Sequence, residues 1–328
     1  MTENISIENK QVNYVFLDLL KLILAILVVI RHCGQSFFGA DFIMRIINST
    51  ITPLAVPTYF AISGFLFFSK KNKKVLQYVK RILALYLIWT VIYFPLIIWN
   101  DELKSDFLQK IVFDASYFHL WYLPSLIFAV LAASIVSNKI RNEYMLVMTF
   151  VLYLIGALVD TYSFLTPLLE WTSYKAIFIT TRNGLFFGLF FVMIGKYLAE
   201  EIKNIRICKM QLVLGIIILC FEGYFLAVLN GKRLVNMSLA SIGLVPVILK
   251  VGISKNEERK ITYFENCRKI STLLFCIHPY FITIIGFIGR RLYLDEILCT
   301  LLTIVVSTLF SYGIIKLSTR VKILTYLM

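Results

Sequence analysis

Apolar stretches close to the ~20 residues that span a ~30 Å hydrocarbon core recur almost from one end of this chain to the other. Ten are expected as transmembrane helices, at residues 15–33, 51–69, 82–99, 119–137, 144–161, 182–199, 211–229, 234–250, 270–289 and 297–316. What lies between them leaves no room for a separate soluble domain. With 59% hydrophobic residues among 328, and a mean hydropathy of +0.81, a soluble globular fold is excluded. The expected fold is all-α, a polytopic membrane protein with about ten transmembrane helices. Nothing reads as an internal repeat or a dividing linker, so residues 1–328 are expected to form a single domain.

The net charge of +14 would suit a nucleic-acid partner in a soluble protein, but its placement argues against one. The basic residues gather in alternate loops: Lys70, Lys71, Lys73, Lys74, Lys80 and Arg81, then Lys139 and Arg141, then Lys196, Lys203, Arg206 and Lys209. Lys250, Lys255, Arg259, Lys260, Arg268 and Lys269 follow, and Lys316, Arg320 and Lys322 close the series. The third-to-fourth loop is acidic, with Asp101, Glu102, Asp106 and Asp114, and Lys232 with Arg233 is the one exception to the alternation. By the positive-inside rule both termini are expected to be cytoplasmic. The residues before Tyr14 are polar and lack an apolar signal core, so no cleavable signal is expected. Six scattered cysteines without a CxxC pair suggest neither a disulfide framework nor a metal site.

The first stretch, YVFLDLLKLILAILVVIRHCGQ from Tyr14 to Gln35, carries Asp18, Lys21, Arg31 and His32 in an otherwise apolar span. Ionisable side chains are costly there and mark function by default. Lys21 and His32 are eleven residues apart, about 1100° or three turns plus roughly 20°, which puts them on one face about 16 Å apart. Asp18, three positions before Lys21, reaches the same stripe. With the cytoplasmic N-terminus, Lys21 lies toward the inside and His32 toward the outside.

Only two further histidines occur, His119 and His278. Histidine titrates nearest neutrality and suits proton abstraction from a hydroxyl; the alternative is a hydrogen bond that fixes helix packing. The polar face and the Cys33-Gly34-Gln35 break favour chemistry for His32, and packing is the first reading of His119 and His278. Glu222 is the most deeply placed acid, expected to be paired with a cation or protonated. Arg182 sits at a span boundary, where snorkelling accounts for it. Pro53 and Pro57 should break the start of the second span, and Ser63-Gly64 offers small residues for close approach. GxSxG, HExxH, Walker and GxGxxG motifs are absent, as is a pair of broken spans in matching halves.

These residues resemble the acyltransferase-3 family of bacterial integral-membrane acyltransferases. The family's Arg, ten residues, then His appears with Lys21 at the Arg position and His32 in place. Its Ser-Gly-Phe segment appears as VPTYFAISGFLFF with Ser63 and Gly64, its Leu-Trp-Phe-Leu element as HLWYLPSL from His119, its Arg-led span as RNGLFFGLFFVMIGKYL from Arg182, and its His-Pro element as STLLFCIHPY. Lys21 keeps the charge of Arg without its planar fork. The membrane halves of vancomycin-type serine racemases are similar too. A fused racemase would add a soluble domain with a lysine-bound pyridoxal cofactor, for which these residues offer no candidate.

The resemblance implies a ten-span enzyme of the bacterial cytoplasmic membrane, moving an acyl group, read as acetyl, from cytoplasmic acyl-CoA to a hydroxyl of a cell-envelope glycan or lipid-linked precursor. His32 would be general base or transient acyl carrier, Lys21 would hold the CoA arm or polarise the thioester, and Asp18 would position Lys21. Ser63, Trp121, Arg182, His278 and Glu222 would line the substrate cavity. Acyl-CoA is then a substrate; no permanently bound cofactor or metal is expected, and the partners are acyl-CoA, the glycan acceptor and membrane lipid. The alternative is a transporter-like module for a small polar solute such as serine, with Lys21, Glu222 and His32 as substrate and proton-relay residues.

Overall fold

The computed structural model describes residues 14–38, 41–70, 72–100, 107–137, 139–165, 180–201, 209–229, 235–254 and 261–328. Among these residues the regular elements are helical. They are α1 Val15–Ser36, α2 Phe42–Thr50, α3 Ala55–Phe68, α4 Val75–Trp99, α5 Phe107–Phe113, α6 Tyr122–Val136, α7 Asn142–Val159, α8 Leu189–Glu201, α9 Lys209–Leu229, α10 Ala240–Ser254, α11 Ile261–Leu292 and α12 Glu296–Ser318. Each expected apolar stretch falls on one of these helices. Among the described residues, six helical segments are long and apolar enough to cross a membrane: Phe42–Phe68, Val75–Trp99, Asn142–Val159, Lys209–Leu229, Glu265–Leu292 and Glu296–Ser318. Tyr122–Val136 and Ala240–Ser254 are apolar but shorter. The chain is therefore an all-α polytopic membrane protein, and length with composition supports six candidate crossings where ten were expected. The acidic residues Asp101, Glu102 and Asp106, the Lys232-Arg233 pair, and Lys71, Lys203, Arg206, Lys255, Arg259 and Lys260 lie outside the described residues.

Proline placement shapes the start of α3 as the sequence suggested. A single 3₁₀ turn, Thr52–Leu54, carries Pro53 and separates α2 from α3. Pro57 falls in the first turn of α3, where its missing N–H has no intrahelical partner to lose. The start of α12 is fixed differently: the Asp295 carboxylate accepts from the amides of Ile297 at 2.8 Å and Leu298 at 3.3 Å, satisfying two of the orphan donors. Along α9, Ile216, Ile217, Ile218, Phe221 and Phe225 remain exposed, as an apolar helix facing lipid requires.

The bundle centres on two long contacts, α3 against α8 and α1 against α11, with α12 packed against α11 and touching α1. The α3–α8 crossing is close because two glycines face opposing backbone. A Cβ at Gly195 would strike the carbonyl oxygen of Ala61, and one at Gly64 would strike that of Val192. Small residues at such crossings let helix backbones approach where no hydrophobic force drives them together in lipid. Gly195→Ala is expected to destabilise the protein by about 1–3 kcal/mol through overpacking. The thermal midpoint in detergent should fall, while Gly313→Ala, whose Cβ would meet nothing within 4 Å, leaves it unchanged. Equal midpoints for both variants would mean that α3 and α8 are not held at this separation.

Candidate functional site

Asp18 and Lys21 meet across less than one turn of α1, as their three-residue spacing implies, with Nζ 3.3 Å from Oδ1. The Lys21 side chain is only 13% exposed. The other Asp18 oxygen lies 4.0 Å from a guanidinium nitrogen of Arg268 on α11, so one carboxylate faces two cations. The Tyr59 hydroxyl of α3 donates to the backbone carbonyl of Lys21. This end of α1 is thus tied to both α3 and α11.

Three turns further along, α1 presents His32 to the other two histidines of the chain. The His32 and His278 rings stack with centroids 5.2 Å apart, and His119 meets His278 edge-on at 5.3 Å. Phe118 closes against His32 at 5.0 Å, Phe275 against His119 at 5.8 Å, and Tyr93 against His119 at 4.9 Å. His119 and His278 are 1% and 0% exposed. The sequence places the three rings 87 and 159 positions apart, and the fold brings them to one point.

The hydrogen bonds assign a tautomer to each ring, since a carbonyl oxygen only accepts. His278 Nδ1 donates to the carbonyls of Phe275 at 2.9 Å and Leu274 at 3.1 Å. His119 Nε2 donates to the carbonyl of Cys276 at 3.1 Å, which also takes the Tyr93 hydroxyl at 2.7 Å. His32 Nδ1 lies 3.0 Å from Gln35 Oε1. Pro279 accounts for one of these carbonyls: it sits inside α11 and has no N–H to return to that of Phe275. Each histidine is left with one nitrogen carrying a lone pair. Those of His119 (Nδ1) and His278 (Nε2) are buried without a partner, a cost of about 1–3 kcal/mol each.

Beside His32, Arg31 is buried and spans three segments. It donates to the Val235 carbonyl at 2.7 Å, to Asn236 Oδ1 at 3.0 Å, and at 3.3 Å to both the Asn48 carbonyl and Thr52 Oγ1. Asn236 turns its amide nitrogen onto both Asp160 oxygens, at 3.2 and 3.0 Å. Sequence reasoning gave Arg31 no role. Its four acceptors lie on distant segments, and only the presence of an arginine within an apolar span could have signalled it.

The remaining expected residues fall in two groups. Arg182 lies with its guanidinium carbon 5.0 Å over the Trp121 ring and a terminal nitrogen 3.8 Å from Asp114, its Nε buried without a partner. Snorkelling does not describe it: it is stacked and ion-paired within the protein. Burial pushes the Asp114 carboxyl above the usual carboxylate range, and Arg182 opposes that rise. Ser63 shares a hydrogen bond of 2.9 Å with the Tyr122 hydroxyl, joining α3 to α6. Glu222 meets hydroxyls and amides. Its carboxylate takes the Tyr162 and Ser238 hydroxyls, the latter at 2.6 Å, and the amides of Leu239 at 2.6 Å and Ala240 at 2.9 Å. Those donors are two hydroxyls and the amides at the start of α10, so Glu222 caps that helix.

Chemically, the arrangement offers unprotonated imidazole nitrogens at one end of α1 and a shielded ammonium at the other. Among the described residues no group of His, Cys, Asp and Glu could hold a metal ion. In sequence, residues 14–316 match a family described as "Acyltransferase domain". An amino-acid racemase of Enterococcus faecalis is 24% identical over 336 residues, covering 94% of this chain and 47% of that protein. Another from the same organism is 28% identical over 210 residues, covering 60% and 30%. A serine/alanine racemase of Enterococcus gallinarum is 25% identical over 301 residues, covering 84% and 42%. The chain spans less than half the length of these curated relatives. No solved structure matches it.

Proposed function

The chain belongs to the family of that acyltransferase domain, and from this premise we propose that it is a membrane O-acyltransferase. It takes an acyl group, acetyl in the simplest case, from cytoplasmic acyl-CoA to a hydroxyl of a cell-envelope glycan or lipid-linked precursor. In this reading all ten apolar helices cross the bacterial cytoplasmic membrane and both termini are cytoplasmic. The observation that carries the reading is the state of His32: half-buried, oriented through Nδ1 by Gln35, with Nε2 left as a lone pair. Such a nitrogen can take the proton of an attacking hydroxyl.

The other residues take supporting parts. Lys21, neutralised by Asp18 and flanked by Arg268, faces the donor's anionic arm at the inner end. Arg182, stacked on Trp121, is the cation nearest the acceptor side, and Ser63 with His278 borders the path between the two ends. Glu222 serves that path indirectly, by fixing the start of α10. The test is release of free thiol from acetyl-CoA by purified protein in vesicles, with and without envelope glycans and lipid-linked sugars. Acceptor-dependent release is expected.

The relatives' names favour a second reading, because each is called a racemase and this chain matches less than half of each. The matched part would then pass a small polar solute such as serine across the membrane. Uptake of labelled serine without acyl-CoA, together with no acceptor-dependent thiol release, would replace the first reading with the second.

A further inference from the structure

We infer that His32, His278 and His119 work as one acid–base unit, sharing a single proton among their three unprotonated ring nitrogens. Two of these nitrogens are buried and unpartnered, and the opposite nitrogen of each ring is tied to a backbone carbonyl or to Gln35. A histidine kept for packing has no use for a buried lone pair, and a phenylalanine would fill its place at lower cost. At His278 the Pro279 break supplies the Phe275 carbonyl that takes Nδ1 and leaves Nε2 unprotonated. With ring centroids 5.2 and 5.3 Å apart, the charge taken up by one imidazole acts directly on the next, which couples their protonation.

Among the described residues the acids nearest the cluster are already engaged, Asp114 with Arg182 and Asp160 with the Asn236 amide that Arg31 also holds. Arg31 from α1 and Arg182 from the segment before α8 are the cations whose fields reach His32. Tyr93 of α4, Tyr117 beside His119, and Cys276 of α11 complete the titratable surroundings of the His119–His278 pair, and Tyr280 packs behind Tyr93. With the rings in contact, a proton on one opposes a second on its neighbour, so one shared proton is the capacity of the unit.

The source and destination of that proton rest on the acyl-transfer reading; the sharing does not. The acceptor O–H gives its proton to His32 Nε2 as the oxygen forms a bond to the thioester carbonyl carbon. The proton is held on His32, His278 Nε2 or His119 Nδ1. The C–S bond then breaks, and the departing thiolate takes the proton, yielding ester and free thiol.

Two substitutions remove a lone pair while keeping the bond that orients the side chain. His278→Asn retains a donor at the Nδ1 position for Phe275 and Leu274, and His119→Gln retains one at the Nε2 position for Cys276. Histidine-labelled protein gives three ring signals, read by NMR across pH in nanodiscs. In the wild type each signal should follow more than one protonation step, because sites interacting by more than about one unit titrate jointly. In His278→Asn the His32 signal should lose one of those steps, and in the kinetic assay kcat should fall roughly 10- to 100-fold at unchanged acceptor KM, with an altered pH profile. Three independent single-step curves, with His32 unmoved in His278→Asn, would overturn the inference whatever the turnover. So would an undiminished kcat in both variants. Joint titration in a protein without acyl-CoA turnover would instead remove the acyl-transfer reading and leave the shared proton standing.

Discussion

Replacing His32 by alanine is expected to lower acceptor-dependent acyl-CoA turnover by roughly 10²- to 10⁴-fold, the range supplied by a positioned general base. The loss should appear equally in kcat and kcat/KM, because proton abstraction is needed in the transition state and contributes nothing to ground-state binding. Folding should survive the change. His32 is half-buried, its hydrogen-bond partner Gln35 is exposed and regains water, and the neighbouring rings keep their backbone ties. An unchanged elution profile and thermal midpoint would verify this. Full turnover in a folded His32→Ala protein would take His32 out of the chemistry. A residual rate above that of a His32→Ala/His278→Asn double variant is the mark of a cluster in which His278 serves as a poorer base.

What was legible in the sequence followed from local rules. A run of apolar residues near twenty, a three-residue spacing of opposite charges at Asp18 and Lys21, and prolines at 53 and 57 each act within a turn or two of helix, so the fold realises them directly. Lys21 and His32 share a helix, and their separation follows from its rise. The rest depended on contacts between segments. Nothing in the spacing of His32, His119 and His278 foretells that their rings touch, and packing was the natural first reading for two of them. Pro279 was visible beside His278 and carried a signal that went unread: a proline inside a helix frees a carbonyl, and a polar side chain must answer it. The partners of Glu222 were hidden for a similar reason: two are amides at the start of another helix, and backbone donors leave no trace in composition. The six candidate crossings are apolar and long enough to span, whereas Tyr122–Val136 and Ala240–Ser254 are apolar but shorter than a bilayer demands of an upright helix.

Arg31→Met is expected to destabilise the fold by about 2–5 kcal/mol, more than any other single change considered, because it strips one guanidinium from four acceptors at once. The Val235 carbonyl, Asn236 Oδ1, the Asn48 carbonyl and Thr52 Oγ1 belong to the segment before α10, to α2 and to the turn before α3. Losing their common donor also disturbs Asn236, which holds Asp160 through its amide nitrogen. Arg31→Lys restores the charge but not the fork, so its thermal midpoint should fall between methionine and wild type. A midpoint unchanged in Arg31→Met would show that these acceptors find water or each other. The consequence for chemistry follows from helix geometry. Consecutive residues point about 100° apart, so a clamp on Arg31 fixes the rotation of α1 and with it the direction of His32. Arg31→Lys, assayed below its melting range, should therefore lose kcat while the acceptor KM stays near wild type, since a base held loosely spends less time within reach of its proton.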